Sequence, residues 1–197
     1  MKKVVLLGDS IRAWYTLPVK EILKDKCEIL YIPKDNGRFT YYSLRQLMDI
    51  ISEHGNVDLV HFNNGYWDMT SMPILNEPMF TVDEYLNGLK KIIKLSRAAG
   101  AKLIFATTTP LPAKTEAKDN LGTGSSFVLE NEKVKIYNDA AVKLMQEENI
   151  PVNDLYAVCK QDARYYKCED NLHHTPEGNQ ILAEHVANAI LKELDME

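Results

Sequence analysis

Along this chain of 197 residues, apolar positions come in blocks rather than singly. Near-continuous apolar runs recur at KVVLLG (3–8), CEILYI (27–32), VDLVHF (57–62), AKLIFATTT (101–109) and, more briefly, NIPVND (149–154). A strand wetted on one face alternates apolar and polar residues; a run apolar at nearly every position suits a strand covered on both faces, as in a parallel sheet. Between these runs the spacing changes to that of a helix. At Thr81 the segment TVDE places a capping residue three positions before Glu84, a capping box. Tyr85, Leu86, Leu89, Ile92 and Ile93 then fall on one stripe, and Gly100 supplies a stop. A second helix is predicted over 130–148, with Val134, Tyr137, Ala141 and Leu144 on one side. A third opens at Thr175-Pro176, a cap followed by proline at the first helical position. Weaker helical patterns cover 17–25 and 41–54.

Strands alternating with helices predict an α/β fold, a three-layer α/β/α sandwich around a five-stranded parallel sheet, in a single domain over 1–197. No internal repeat, linker or low-complexity tract interrupts it. The stretch 110–127, rich in Pro, Gly, Ser and Thr, reads as an irregular loop of the length found in functional flaps or disordered segments.

Composition narrows the partner. The formal net charge is −5 and no Lys/Arg cluster stands out, which argues against nucleic acid, whose non-specific binding rests on neutralising phosphates. A small molecule or another protein is expected. No run approaches the ~18 apolar residues of a membrane span. The opening MKKVVLLG has the charge of a leader, but its apolar run is too short and GDSIR interrupts it. The segment therefore reads as a first strand, and the chain as cytoplasmic or lacking its leader. Cys27, Cys159 and Cys168 are expected to be free thiols in a reducing compartment, with a Cys159–Cys168 bridge as the alternative.

In an open parallel sheet, ligands bind beyond the carboxyl ends of the strands. Polar clusters follow each predicted strand: GDS (8–10), PKDNGRFT (33–40), NNGYWD (63–68), TTTPLP (107–112) and, further on, EDNLHHTPEG (169–178). Topology alone brings them to one rim. A serine hydroxyl acting as nucleophile needs a base, and the base needs a partner to orient it. Asp170, three residues before His173, is spaced to accept a hydrogen bond from the imidazole Nδ1, leaving Nε2 for Ser10. Backbone N–H groups at Ser10 and Gly37 and the amides of Asn63 and Asn64 are candidate donors to an oxyanion.

The pattern resembles the SGNH hydrolases, also called GDSL esterases and lipases. Gly8-Asp9-Ser10 matches the block that holds the nucleophile. Gly37 matches the block whose glycine N–H helps form the oxyanion hole, and Asp170-x-x-His173 the block of the catalytic acid and base. The resemblance implies the flavodoxin-like SGNH architecture and a serine esterase needing no metal or organic cofactor. It further suggests small-acyl removal, such as deacetylation of a carbohydrate. One block departs from it: where the family has Gly-x-Asn-Asp, this chain reads Gly65-Tyr66-Trp67-Asp68. The missing asparagine amide is expected from Asn63 or Asn64 at the strand tip; the Trp67 indole N–H and a weaker oxyanion hole are the alternatives. Losing one such donor typically costs about 10²–10³-fold in rate.

The remaining candidates read as follows. Tyr66 and Trp67 at the strand tip are expected to pack or to form a wall for a sugar. Arg12 and Arg38 flank the pocket, exposed by default or facing an acidic substrate group. Asp9 and Asp154 are turn acids, His54 a helix-end residue, His61 a core residue of the third strand, and His185 a packed residue on the last helix. His174 beside His173 lacks the further ligands a metal site needs. Two other classes stay open: a carbohydrate-binding relative that has lost turnover, and an acyltransferase using the same triad. A flavodoxin-like cofactor binder is disfavoured by the missing GxGxxG and Walker patterns.

Overall fold

The computed structural model describes residues 1–72, 77–112, 115–117, 127–161, 165, 170 and 172–196. Its main sheet consists of β1 (Lys2–Leu7), β2 (Cys27–Leu30), β3 (Leu59–Phe62), β6 (Lys102–Ala106) and β9 (Val152–Asn153), in the order β2-β1-β3-β6-β9. Every pairing in it is parallel, with Val4 opposite both Ile29 and Leu59. Val4, Val5, Leu6 and Leu7 are all buried, as unbroken apolar runs require, and each such side chain contributes roughly 1.5–3 kcal/mol by leaving water. Phe62 and Phe105, paired across β3 and β6, meet edge to face with centroids 5.4 Å apart.

Helices cover both faces. On one, α1 (Ser10–Ile22) packs against α7 (Pro176–Glu193); on the other, α2 (Thr40–His54), α4 (Val82–Ala98) and α5 (Asn131–Glu147) pack in succession. Right-handed crossovers dictate this division, because the path moves one way from β1 to β2 and the other way through β3, β6 and β9. The reversal opens a crevice at the carboxyl ends of β1 and β3. The predicted caps are present: Thr81 accepts from the Glu84 N–H in a full capping box, and Thr175 accepts from the Gly178 N–H ahead of Pro176.

Several features differ from expectation. The first helix begins at Ser10, capped by the Asp9 carboxylate on the Ile11 N–H at 2.9 Å, well before residue 17. Two short helices, α3 (Tyr66–Met69) and α6 (Leu155–Lys160), had no periodic signal. A second, antiparallel sheet joins β5 (Glu77–Pro78), β4 (Ser71–Met72), β8 (Phe127–Leu129) and β7 (Thr115–Ala117). The stretch 110–127, expected to be irregular, thus contributes strand residues to it. Isolated two- and three-residue strands carry too little sequence for a period to be read. His185 is exposed rather than packed, since the apolar stripe of α7 passes through Leu182, Val186 and Ile190. Cys27 and Cys159 are buried free thiols, while Cys168 and its suggested bridge lie outside the described residues. Among the described residues, no helix is long and apolar enough to cross a membrane.

Candidate active site

The crevice above β1 is built from the turn that ends the strand. Gly8 has φ +147°, and a Cβ there would lie 2.6 Å from the Asn63 carbonyl oxygen, so only glycine lets β1 turn this sharply beside β3. Asp9 caps α1, and Ser10 becomes the first helical residue. Its N–H thus belongs to the helix start, where backbone donors lack intrahelical acceptors.

Ser10 Oγ lies 2.7 Å from His173 Nε2, and His173 Nδ1 lies 2.8 Å from Asp170 Oδ2. A carboxylate only accepts, so Nδ1 carries the ring proton and Nε2 accepts from the Ser10 hydroxyl. Asp170 Oδ1 meanwhile accepts from the backbone N–H groups of Leu172 and His173, both at 2.9 Å, which fixes the carboxylate against the turn. Burial alone would raise the Asp170 carboxyl. The bonds from the Leu172 N–H and from the His173 ring and N–H outweigh it, leaving the group below the usual carboxylate range. His173 reaches Ser10 because it lies two residues before the cap of α7, and α7 packs on α1. Trp14, one turn along α1 from Ser10, stacks on the imidazole with centroids 5.4 Å apart and planes 28° from parallel. Sequence reasoning did not assign this residue, although its i+4 spacing from Ser10 places it on the same helix face.

The three candidate oxyanion donors each bond to the frame of the rim. The Gly37 N–H donates to the Gly8 carbonyl at 2.6 Å, clamping the loop after β2 to the turn after β1. A side chain at Gly37 would have its Cβ 2.0 Å from Ser43 Oγ, so the glycine serves close approach. Asn63 Nδ2 donates to the Ala106 carbonyl at 2.9 Å, extending the β3–β6 contact. Asn64 Nδ2 donates to the Arg38 carbonyl at 2.9 Å and to Ser43 Oγ at 3.0 Å, tying down the same loop. All three hold the rim together through these bonds, the Asn63 amide with one of its two N–H groups. Tyr66 is likewise buried, with its hydroxyl donating to the Thr109 carbonyl at 2.5 Å. It is not an exposed wall, but it lines a cavity of 120 Å³ with Ser10, His173, Trp67, Leu129 and Leu172.

Two buried acids support this frame. Asp68 accepts from the Thr40 hydroxyl at 2.7 Å and the Thr40 N–H at 3.0 Å, anchoring the start of α2; desolvation pushes it up to about 7. Asp9 is pushed up to about 6, chiefly by desolvation. His61, buried in β3 and driven down to about 3 by desolvation, stays neutral in the core. Arg12 was expected at the surface and is instead 1% exposed, whereas Arg38 reaches solvent and pairs with Asp35 at 3.0 Å. Among the described residues, no group of His, Cys, Asp and Glu is arranged to hold a metal ion.

No family model matches the chain. Its sequence is 32% identical over 122 residues to the GDSL esterase/lipase WDL1 of Oryza sativa subsp. japonica, a match covering 60% of this chain and 46% of that protein. The match thus spans about half the length of that curated relative. Among solved structures, the acetyl xylan esterase AlAXEase superposes with a TM-score of 0.70 at 20% identity, over 95% of this chain and 99% of that one. The chain has the SGNH hydrolase fold. The aryl esterase of M. smegmatis shares it with a TM-score of 0.75 at 14% identity, over 98% and 100% of the two chains. So does Est24, a carbohydrate acetylesterase from Sinorhizobium meliloti, with a TM-score of 0.72 at 18% identity over 98% and 99%. At such identities the likeness to the solved structures is one of fold. The resemblance to GDSL esterases is therefore carried by the curated relative and by the motifs that close the SGNH rim.

Proposed function

We propose that this chain is a serine esterase that removes short acyl groups, with Ser10 as nucleophile, His173 as base and Asp170 as the residue that orients it. The observation that carries this reading is the chain of hydrogen bonds from Ser10 Oγ through His173 to Asp170, at 2.7 and 2.8 Å. In it, Ser10 Oγ attacks the ester carbonyl while its proton passes to His173 Nε2. The imidazolium is stabilised by Asp170 and returns the proton to the departing alcohol. Water, deprotonated by the same nitrogen, then attacks the acyl-enzyme, and the carboxylate leaves as Ser10 recovers its proton. The Ser10 N–H at the start of α1 faces the developing oxyanion.

The size of the substrate follows from the space. The cavity of 120 Å³ is walled by apolar and aromatic side chains, and it suits a short acyl group better than a fatty chain. That two structural neighbours are an acetyl xylan esterase and a carbohydrate acetylesterase supports an acetylated carbohydrate as the substrate class. A fluorophosphonate probe is expected to label the wild type and not Ser10→Ala; no labelling of folded wild type would favour a binding protein that has lost turnover. p-Nitrophenyl acetate is expected to be hydrolysed far faster than the octanoate, and the reverse order would exclude a small-acyl esterase.

A further inference from the structure

A second cavity, of 560 Å³, is lined by Trp14, which stacks on His173, and by other residues of α1 and of the segment after β2, among them Arg12, Tyr31, Lys34 and Asp35. Its lining carries two cations, Arg12 and Lys34, against one acid, Asp35. Arg12 contributes to its floor, 1% exposed, yet its guanidinium has no carboxylate at ion-pair distance among the described residues. Its hydrogen bonds are long: 3.3 Å to the Gly8 carbonyl, 3.4 Å to the Asp35 carbonyl and 3.4 Å to Thr16 Oγ1. Its Nε has no partner. The carboxylate of Asp35, an acid on the cavity wall, is taken by Arg38 at 3.0 Å and by the Tyr42 hydroxyl at 2.5 Å. Asp9, buried nearby, caps α1 through Oδ1, and it acts on Arg12 by longer-range attraction rather than as an ion pair. A buried cation left this far from compensation is costly unless an anion completes it, and guanidinium geometry suits a carboxylate.

We propose that this cavity receives the carboxylate of an acidic sugar, held by Arg12 and Lys34, while Trp14 and Tyr31 face the ring. The inference rests on the esterase reading above, because Trp14 joins this cavity to the base by its stack on His173. A substrate lying across Trp14 would place its acyl group in the small cavity and its acidic, alcohol-bearing part in the large one. The enzyme would then deacylate an O-acylated sugar acid in preference to the neutral sugar.

The test uses binding, so it does not depend on turnover. Glucuronate and glucose are titrated calorimetrically into the full-length Ser10→Ala protein, with inorganic phosphate as a third probe. Glucuronate is expected to bind at least about tenfold more tightly than glucose, as a charge-assisted contact to a desolvated guanidinium allows, and more weakly as salt rises. Arg12→Met should abolish the difference. Should that variant not fold, Lys34→Gln on the rim should weaken glucuronate several-fold without changing glucose. Equal binding of the two sugars overturns the proposal, as does phosphate binding where glucuronate does not. Fluorophosphonate labelling of wild type reports separately on Ser10. Labelling without glucuronate preference removes only the acidic-sugar inference, and preference without labelling removes the esterase reading while leaving the anion site.

Discussion

Replacing Asp170 by asparagine tests whether the orienting residue works through the tautomer of its histidine. In the wild type, Oδ1 accepts two backbone N–H groups and Oδ2 accepts the His173 Nδ1 proton at 2.8 Å. An asparagine that keeps its oxygen on the two backbone groups must turn its NH2 toward Nδ1. That nitrogen then has to accept, the ring proton moves to Nε2, and Ser10 at 2.7 Å faces a donor instead of a base. General-base catalysis is worth about 10²–10⁴-fold, so Asp170→Asn should raise the barrier by about 2.7–5.5 kcal/mol. Stability should barely move. The Asp170 side chain is 45% exposed, pairs of that kind contribute about 0.2–1 kcal/mol, and the backbone contacts survive the change. Initial rates on p-nitrophenyl acetate would be compared for wild type, Asp170→Asn, His173→Ala and the double variant, with urea midpoints measured alongside. Because the two residues act as a unit, the double variant should be no slower than His173→Ala. A folded Asp170→Asn with wild-type kcat/KM would refute the assignment of Asp170, and a double variant markedly slower than His173→Ala would refute the coupling.

Three further outcomes are expected. Gly8→Ala places a Cβ 2.6 Å from a backbone oxygen at φ +147° and should lower stability by about 2 kcal/mol or more, read as a drop in urea midpoint; an unchanged midpoint would mean the turn is looser than described. Asp68 and Asp9 sit near 7 and 6 against an ordinary value of 3.8, so the folded chain holds protons that the unfolded chain releases. Their contribution is fullest below that ordinary value and is lost as pH rises through 6 to 7. The midpoint at pH 5 should therefore exceed that at pH 8 by a margin that shrinks in Asp68→Asn, and an equal margin in both proteins would exclude Asp68 as a source. Trp14→Ala removes an aromatic contact worth about 0.5–1.5 kcal/mol and should lower the urea midpoint accordingly, with kcat/KM falling roughly 2- to 10-fold as the imidazole loses its support.

What was legible in the sequence is what local pattern determines. Four near-continuous apolar runs and a fifth, shorter one marked the main sheet, and the TVDE and Thr175-Pro176 caps marked two helix starts that the structure shows in place. Ser10, Asp170 and His173 could be picked out because each follows an element whose position topology dictates. The direction in which a donor points was not legible. Gly37, Asn63 and Asn64 lie on the rim as expected, but their N–H groups are drawn to the Gly8, Ala106 and Arg38 carbonyls by loop-to-loop contacts that no periodicity encodes. The burial of Arg12 was hidden for the same reason: an arginine near a helix start reads as solvated until the segment after β2 closes over it. The small antiparallel sheet escaped because its strands are two or three residues long.

The pairing of Ser10 with His173 spans 163 residues, and it depends on α7 lying against α1. During synthesis the hydroxyl therefore leaves the ribosome long before the imidazole that would activate it. Until α7 docks, Ser10 is an ordinary alcohol with no imidazole beside it. On the esterase reading, reactivity arrives with the docking of α7, so a copy in which α7 stays undocked is chemically silent although Ser10 itself is untouched.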